Sequence, residues 1–261
     1  MMWRDVPEVR RLFEEVTPAR TLLASDFDGT LAPIMPRPEQ VRALPEALGA
    51  LERLTPTLGH VVILSGRATS ALRDFLPMPG LTLRGDYGLG EATEEERAAL
   101  DRFASDMLSL LGHLPGTWLE RKPGSASVHF RDAPAAAETL DTQVGDLAGR
   151  QGLRARRGRL VVEVMPERAN KATALQEEIG NLGPDAVLYA GDDTGDQPCF
   201  DLVRGLDTVH VAVGVRSAET DPEVFASCDV VVDGPAAWAA CLSELADWSE
   251  APDRAGRGAA G

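Results

Sequence analysis

Short, nearly continuous apolar runs alternate with stretches of helical periodicity along much of the chain. Such runs are typical of strands buried on both faces of a parallel sheet, and apolar positions at a spacing of three or four residues indicate helices packed against it. The pattern predicts strands at 22–25, 60–64, 81–83, 186–190, 208–213 and 229–232. It predicts helices at 3–16, 45–54, 68–75 and 170–179. This alternation predicts an α/β fold with a Rossmann-like, doubly wound parallel sheet, which binds ligands at the C-terminal ends of its strands.

The middle of the chain follows a different pattern, which predicts an inserted domain at 94–167. The expected elements there are helices at 94–111 and 134–147 and two strand pairs, 118–122 with 127–131 and 153–156 with 160–164. The insertion therefore reads α-β-β-α-β-β and is long enough for a small domain. The core is then discontinuous, comprising 1–93 and 168–261, and its Ala-, Gly- and Arg-rich tail at 249–261 is expected to be disordered.

Polar side chains follow three of the predicted core strands. Asp26 and Asp28 come directly after the first strand, Ser65 follows the second, and Asp192 follows the strand at 186–190. Alternation along a strand sends residues i and i+2 to the same side, so both carboxylates could reach one reacting centre. An Asp-rich turn is the simpler interpretation of the first motif alone, but the other two strand ends argue against it.

A metal ion would suit this arrangement. Two carboxylates this close disfavour each other's ionisation. A cation such as Mg2+ relieves that repulsion, and phosphoryl-transfer sites use one. Gly29, directly after Asp28, would let the chain turn away sharply.

Composition narrows the classes of partner. The chain has 41 acidic against 26 basic residues and a net charge of −15, which argues against nucleic acid and anionic membranes. Cys199, Cys228 and Cys241 form no metal-like spacing, and an odd, sparse set favours a reduced, cytoplasmic location. We expect neither a signal peptide nor a membrane span, since no apolar run approaches the roughly 20 residues that a span requires.

Four motifs, in order along the chain, resemble those of the haloacid-dehalogenase-type phosphatases, and within them the trehalose-6-phosphate phosphatases. The motifs are Asp26-Phe27-Asp28-Gly29-Thr30, Ser65-Gly66-Arg67, Lys171, and Gly191-Asp192-x-x-x-Asp196. Two further segments resemble that family's inserted cap domain, namely Glu120-Arg121-Lys122 with Ser127-Val128-His129-Phe130-Arg131, and Glu163-Val164-Met165-Pro166. Taken alone, Ser65 could equally be a helix N-cap, and Lys171 could equally be a surface lysine. The occurrence of all four motifs in order favours the catalytic interpretation.

The resemblance implies a mechanism. Asp26 attacks phosphorus and forms an aspartyl-phosphate, and Asp28 acts as general acid and then general base. Mg2+ is held by Asp26, Asp192 and the backbone carbonyl of Asp28, and Asp196, with Asp193, orients ligands around it. Ser65 and Lys171 hold the phosphoryl oxygens.

The resemblance also implies a set of substrate-binding residues. Gly66 and Arg67 join Ser65 and Lys171 at the substrate. The cap residues Glu120, Lys122, Arg131 and Glu163 bind sugar hydroxyls, because charged side chains form the stronger hydrogen bonds. The alternative for the cap residues is a salt-bridged surface of little energetic consequence. A cap on two linkers is expected to exclude water and to select the leaving group.

Three departures from the family's pattern leave the sugar open. The chain has Gly85-Asp86-Tyr87-Gly88 where the family usually has Gly-x-His-Gly, Gly195 and Gln197 where Thr and Glu are usual, and Ala172 after Lys171 where Gly is usual. No catalytic carboxylate is lost. The expected substrate is trehalose 6-phosphate, with functional coupling to a trehalose-phosphate synthase. The alternatives are a phosphatase for sucrose 6-phosphate or for glucosyl- or mannosyl-phosphoglycerate, a phosphotransferase, and a non-catalytic regulatory module.

Overall fold

A computed structural model of the protein describes residues 3–35, 37, 40–90, 92–158, 160–217 and 220–251. Within these residues the chain forms ten strands and eight α-helices. The strands are β1 (Thr21–Ser25), β2 (His60–Leu64), β3 (Thr82–Arg84), β4 (Trp118–Arg121), β5 (Ala126–His129), β6 (Leu153–Gly158), β7 (Val161–Pro166), β8 (Ala186–Gly191), β9 (Val209–Arg216) and β10 (Val230–Asp233). The helices are α1 (Pro7–Glu15), α2 (Pro45–Leu54), α3 (Thr69–Phe75), α4 (Glu94–Leu111), α5 (Ala137–Arg150), α6 (Lys171–Leu182), α7 (Gln197–Arg204) and α8 (Gly234–Glu250).

The chain divides into two compact units. The first unit contains the residues up to Ser65, Thr69–Gly85 and the chain from Lys171 onward. The second unit contains Gly66–Ala68 and Asp86–Asn170. The insertion predicted at 94–167 lies within the second unit, together with short segments on either side of it.

The first unit is built on a six-stranded parallel sheet with the order β10-β9-β8-β1-β2-β3. β1 is buried along its whole length and lies between β2 and β8, so the residues after it sit at the middle of the sheet edge. The strand order reverses around β1, and such a switch point is where open α/β sheets bind ligands.

Alternate residues of the strands support two separate cores. Leu23 of β1 and Leu188 of β8 face the cluster formed with α1, α2 and α8. Leu22 and Val187, one residue earlier on the same strands, face the cluster formed with α6 and α7. Apolar side chains on both faces explain why these strands read as continuous apolar runs.

The second unit has a four-stranded antiparallel sheet with the order β4-β5-β7-β6. One face of this sheet packs against α4 and α5 through buried residues such as Phe103, Leu140 and Val164. The residues that alternate with these along the strands therefore lie on the opposite face of the sheet. α4 begins at a capping box in which the side chains of Thr93 and Glu96 each bond the other's backbone N–H.

The parallel sheet and the α-β-β-α-β-β order of the insertion confirm the predicted α/β architecture. One predicted helix is interrupted, because the chain makes a 3-10 turn at Trp3–Asp5 and the α-helix begins only at Pro7, where proline is tolerated in a first turn. Another, expected from residue 134, begins with a 3-10 turn and becomes α-helical at Ala137. α7 and α8 are helices that the sequence analysis did not assign.

The predicted disordered tail starts too early. α8 continues through Ser249 to Glu250, and the Trp248 indole N–H donates to the Phe13 carbonyl at 3.2 Å. Residues 252–261 of that tail lie outside the described residues. No helix in the described part of the chain is both long and apolar enough to cross a membrane.

The core of the second unit supports a stability prediction. Phe103 and Leu108 both lie on α4, but Phe103 is fully buried whereas Leu108 is 57% exposed. We expect Phe103→Ala to lower the free energy of unfolding by about 3–5 kcal/mol through the cavity it leaves. The matched control Leu108→Ala should change it by less than about 0.5 kcal/mol. Urea titration followed by circular dichroism measures both, and equal effects would contradict the packing described.

Candidate active site

The loop after β1 is held in a tight turn beneath Asp26. The Asp26 N–H donates to the Ala190 carbonyl at 2.8 Å, which extends the β1–β8 pairing by one residue. The Leu31 and Ala32 N–H groups both donate to the Phe27 carbonyl, and the Gly29 N–H donates to the Ala32 carbonyl. Asp26 is therefore anchored by the sheet, whereas Asp28 is half-buried in the turn itself.

Gly29 is required at its position for two reasons. Its φ of 76° lies in the left-handed region, which disfavours residues with a Cβ. A Cβ there would also lie 2.0 Å from Asp192 Oδ2. The glycine thus allows the loop after β1 to approach the carboxylate that follows β8.

Lys171 connects the two sides of the site. It is the first residue of α6, and its side chain is only 4% exposed. Its ammonium donates to Asp26 Oδ1 at 2.7 Å and to Asp196 Oδ1 at 2.8 Å. The alternative that Lys171 is a surface lysine is therefore wrong.

Asp196 is fully engaged in hydrogen bonds. Its Oδ1 accepts from Lys171 and, at 2.6 Å, from the Tyr189 hydroxyl. Its Oδ2 accepts from the N–H groups of Asp192 and Asp193 at 2.9 and 3.1 Å. Four bonds use the lone pairs that a carboxylate offers, so the geometry favours an orienting role for Asp196.

Tyr189 is a site residue that the sequence analysis missed. It lies within the apolar run of β8, where its ring packs in the cluster beside α6 and α7 and contacts Phe200 edge-on. Only its hydroxyl reaches Asp196. A tyrosine in an apolar strand two residues before a Gly-Asp pair is the signal that the sequence offered, because a buried tyrosine hydroxyl usually has a partner.

The charges at the site depend on one another. Burial raises the pKa of Asp26 to about 8, although the positive charge of Lys171 acts in the opposite direction. Burial and the negative charges of Asp26 and Asp196 raise the pKa of Asp192 to about 10. Burial also acts to raise the pKa of Asp196, but the charge and hydrogen bond of Lys171 outweigh it and hold that pKa below its ordinary value. Burial acts to lower the pKa of Lys171, yet the carboxylates raise it well above its ordinary value.

The same cluster offers oxygen ligands of the kind that bind a hard divalent cation. One carboxylate oxygen from each of Asp26, Asp192 and Asp196 lies within 4.8 Å of the others. All three carboxylates are buried, and oxygen ligands are those that Mg2+ prefers. A cation here would offset the charge that raises the pKa of Asp192. The residues therefore fit a divalent cation.

Ser65 lies at the same sheet edge. It follows β2, the strand paired with β1, with Ile63 of β2 aligned to Ser25 of β1. Ser65 is buried, and its N–H donates to the Arg84 carbonyl at 3.1 Å. The next two predicted substrate residues, Gly66 and Arg67, belong to the second unit, where the Arg67 carbonyl accepts from the Asp86 N–H at 2.7 Å.

The face of the second unit's sheet opposite α4 and α5 carries one row of polar residues across its four strands. Glu120 of β4 pairs with Ser127 of β5, Ser127 with Glu163 of β7, and Glu163 with Arg156 of β6. Residues paired in this way share a face. Ser127 is buried, and its hydroxyl has no hydrogen-bond partner among the described residues. The row brings together two predicted sugar-binding carboxylates and adds Ser127 and Arg156, which the prediction did not include.

The other two predicted cap residues differ in position, since Lys122 lies beside Glu120 whereas Arg131 lies in an exposed turn. Lys122 lies 3.7 Å from Glu120, and His129 Nε2 lies 3.0 Å from the same carboxylate. The His129 ring is stacked on Trp118, which is half-exposed, with 3.8 Å between ring centroids. Arg131 is exposed in the turn after β5, because that strand ends at His129 and does not extend to residue 131 as predicted.

Comparison with known proteins identifies the family of this chain. The model of the trehalose-phosphatase family matches residues 24–227. The chain belongs to the trehalose-phosphatase family. The resemblance inferred from the motifs is thereby confirmed.

Individual relatives agree with this family. The chain is 31% identical over 243 residues to the trehalose-phosphate phosphatase of Mycobacterium avium, covering 86% of this chain and 62% of that protein. It is 32% identical over 224 residues to the bifunctional trehalose-6-phosphate synthase/phosphatase of Thermoproteus tenax, covering 77% of this chain and 30% of that protein. The chain spans from 17% to 63% of the length of the curated relatives compared.

A solved structure shares the fold. The C-terminal domain of a trehalose-6-phosphate phosphatase from C. albicans superposes with a TM-score of 0.75 at 20% identity, covering 90% of this chain and 94% of that domain. Haloacid dehalogenase-like hydrolases also match, including one from Bacteroides thetaiotaomicron with a TM-score of 0.63. The fold of this trehalose-phosphatase family member is thus the haloacid dehalogenase fold with an inserted α/β cap domain.

The buried acidic cluster leads to a prediction about metal and stability. The pKa of Asp192 is raised to about 10 in the folded protein, so at pH 7 folding forces a proton onto a carboxyl that is ionised when unfolded. This penalty begins above the unfolded pKa of about 4 and grows towards the folded pKa. We expect Asp192→Asn to stabilise the metal-free protein at pH 7 by about 1–3 kcal/mol.

The same variant tests cation binding. Millimolar Mg2+ should raise the melting temperature of the wild-type protein by mass action, and Asp192→Asn should lose most of that shift. Asp106→Asn, an exposed substitution on α4, should leave both melting temperatures unchanged. A wild-type melting temperature that Mg2+ leaves unchanged would contradict cation binding by this cluster.

Proposed function

We propose that the protein is a Mg2+-dependent phosphatase that hydrolyses trehalose 6-phosphate to trehalose and phosphate through an aspartyl-phosphate intermediate. Membership of the trehalose-phosphatase family supports the substrate and the reaction class. The observation that carries the chemistry is the buried Lys171 ammonium, which lies between Asp26 and Asp196 at the end of the central strand. A buried ion cluster of this kind is costly to a fold, and perturbed ionisable groups of this kind gather at functional sites.

Asp26 is the proposed nucleophile. Lys171 binds its Oδ1, which leaves Oδ2 to attack phosphorus. Attack forms an O–P bond and breaks the bond between phosphorus and the sugar oxygen, and water then cleaves the aspartyl-phosphate. The ammonium of Lys171 also offsets negative charge as it builds up on the phosphoryl oxygens.

Asp28 is the proposed general acid and base. It lies two residues after Asp26 in the turn, and it is half-buried rather than fully buried. In the first step it protonates the departing sugar oxygen, and in the second it removes the proton from the attacking water. Ser65, buried at the end of β2, is proposed to donate its hydroxyl to a phosphoryl oxygen.

The residues proposed to hold Mg2+ are Asp26, Asp192 and the backbone carbonyl of Asp28. Mg2+, when bound, supplies Lewis-acid stabilisation of the phosphoryl oxygens. Asp196 is proposed to orient this set through its four hydrogen bonds. Asp193 accepts from the Gly195 N–H at 2.7 Å, which supports a role in shaping the same turn.

The second unit is proposed to bind the sugar. Glu120 and Glu163 share one row of the sheet, and Lys122 lies beside Glu120. Such charged groups form strong hydrogen bonds to hydroxyls. Arg131, Gly66 and Arg67 remain proposed substrate contacts from the family's pattern.

We also infer functional coupling to a trehalose-phosphate synthase and a cytoplasmic location. The first is supported by the bifunctional relative, in which the two activities share one chain. The second is supported by the three cysteines, which are free thiols.

The central prediction concerns Asp26. Phosphate release from trehalose 6-phosphate should require Mg2+ and fall with EDTA. Asp26→Asn should lower kcat by at least about 10³-fold, because the nucleophile is lost. Asp101→Asn, at an exposed carboxylate on α4, is the matched control and should retain wild-type kcat. Glucose 6-phosphate, sucrose 6-phosphate and glucosyl-3-phosphoglycerate complete the substrate panel.

The panel separates the alternatives. Faster release from one of the other esters would keep the chemistry and assign a different sugar. Turnover that survives Asp26→Asn would contradict the proposed nucleophile. No release from any ester would favour a non-catalytic module.

The sugar-binding residues yield a separate prediction. Glu120→Ala and Lys122→Ala should each lower kcat/KM for trehalose 6-phosphate about tenfold relative to kcat/KM for phenyl phosphate, which has no sugar hydroxyls. Asp101→Ala removes an exposed ion pair with Arg121 in the same unit and should leave this ratio unchanged. A ratio that neither Glu120→Ala nor Lys122→Ala alters would exclude these residues from sugar recognition.

A further inference from the structure

Tyr87 is held in an unfavourable backbone conformation. Its φ is 57° and that of Asp86 is 52°, in the left-handed region that bulky residues rarely occupy. Such a conformation is energetically unfavourable and persists only where surrounding contacts enforce it. An observed outlier of this kind suggests a functional role for the residue concerned.

Several contacts within the second unit hold Tyr87 in this conformation. The Tyr87 ring is buried with Leu89, Met165 and Ala169. Gly66 lies against the ring so closely that a Cβ there would be 2.5 Å from the Tyr87 hydroxyl oxygen. The Arg156 guanidinium lies over the ring, 5.1 Å from its centroid. The ring therefore has a single position.

The Tyr87 hydroxyl donates a hydrogen bond to Glu163 Oε2. Glu163 lies in the polar row of the sheet, paired with Ser127 on one side and with Arg156 on the other. Arg156 is thus both the register partner of Glu163 and the cation over the Tyr87 ring. One hydroxyl, on a ring held by its neighbours, therefore restrains the Glu163 carboxylate.

We propose that Tyr87 is a positioning residue for sugar recognition, acting through Glu163. A glutamate has three rotatable side-chain bonds, and fixing them before the ligand binds removes an entropy cost from binding. The Tyr87 bond uses Oε2, so the carboxylate is oriented with Oε1 as the acceptor for a sugar hydroxyl. This role rests on the proposed function, and it explains why a strained aromatic residue is placed beside that carboxylate.

A purely structural role for Tyr87 predicts a different result. If the ring only fills the cluster with Leu89 and Met165, removing the hydroxyl would leave substrate discrimination unchanged. Tyr87→Phe keeps the ring and its contact with Arg156 and removes only the hydrogen bond. It is therefore the variant that separates the two roles.

The experiment is a double-mutant cycle of Tyr87→Phe and Glu163→Ala, with KM and kcat measured on trehalose 6-phosphate and on phenyl phosphate. We expect Tyr87→Phe to raise KM for the sugar phosphate about three- to tenfold, with kcat changed less than about twofold. The ratio of kcat/KM between the two substrates should fall accordingly. In the Glu163→Ala background, Tyr87→Phe should change KM by less than about 1.5-fold, because the group it positions is absent.

Two controls accompany the cycle. Ser109→Ala removes another hydroxyl of the second unit, exposed on α4 and bonded to the Ser105 carbonyl, and should leave the substrate ratio unchanged. Glu163→Gln retains an acceptor for Tyr87, so Tyr87→Phe should again raise KM in that background. Glu163→Leu, which removes the carboxylate but keeps an apolar side chain at that position, replaces Glu163→Ala should that variant fail to fold.

Equal KM increases for Tyr87→Phe with and without Glu163 would overturn the proposal, as would a parallel loss on both substrates. The same cycle measured by urea unfolding reports the Tyr87–Glu163 coupling without any substrate. Should the wild-type protein hydrolyse phenyl phosphate but no sugar phosphate, the proposed function would fail, and the sugar-directed role with it. Coupling in the unfolding cycle would then still identify the hydrogen bond as structural.

Discussion

The site depends on one buried cation, the ammonium of Lys171. It is the first residue of α6, and it donates to carboxylates that follow two different parts of the sheet, at Asp26 and Asp196. Its charge opposes the effects of burial and mutual repulsion on all three carboxyls, although the pKa of Asp192 is still raised to about 10. Of these three carboxyls, Asp196 is the one whose pKa Lys171 and the other hydrogen-bond donors hold below its ordinary value.

Three buried carboxyls with a single ammonium between them are suited to a divalent cation. Asp26 and Asp192 keep raised pKa values because burial, together with the neighbouring carboxylates, outweighs the charge of Lys171. Asp196 differs, since four donors satisfy its oxygens and hold its pKa low. Neighbouring aspartates thus take different roles because their hydrogen-bond environments differ, which is a general way for one residue type to perform several tasks.

The second unit uses its sheet in another way. One face is apolar and packs against α4 and α5, so the alternate residues are available for polar contacts across four strands. Glu163 accepts one such contact from the Tyr87 hydroxyl, and its register partner Arg156 lies over the Tyr87 ring. A rigid sheet that carries restrained carboxylates is suited to ligands with many hydroxyl groups, because little side-chain entropy is then lost on binding.

The sequence by itself determined the α/β class, the inserted domain and the motif residues at the strand ends, because buried parallel strands and turn residues leave local patterns. It also determined the family, through motifs at fixed positions along the chain. Asp26, Lys171, Asp192 and Asp196 were identified in this way, although they are up to 170 residues apart. Only the tertiary structure decided that Lys171 binds Asp26 and Asp196 directly, and that Tyr189 belongs to the same network.

The contacts of Tyr189 and Tyr87 could not be predicted from local sequence patterns, and the physical reason is the same for both. In the sequence, Tyr189 looks like one more apolar residue of a strand. Its role depends on its hydroxyl, which donates a hydrogen bond to Asp196. Tyr87 and Glu163 are 76 residues apart, and only strand register and chain packing bring them together. The local sequence determines which residues are buried and which lie in turns. Long-range packing determines which polar atoms their side chains contact.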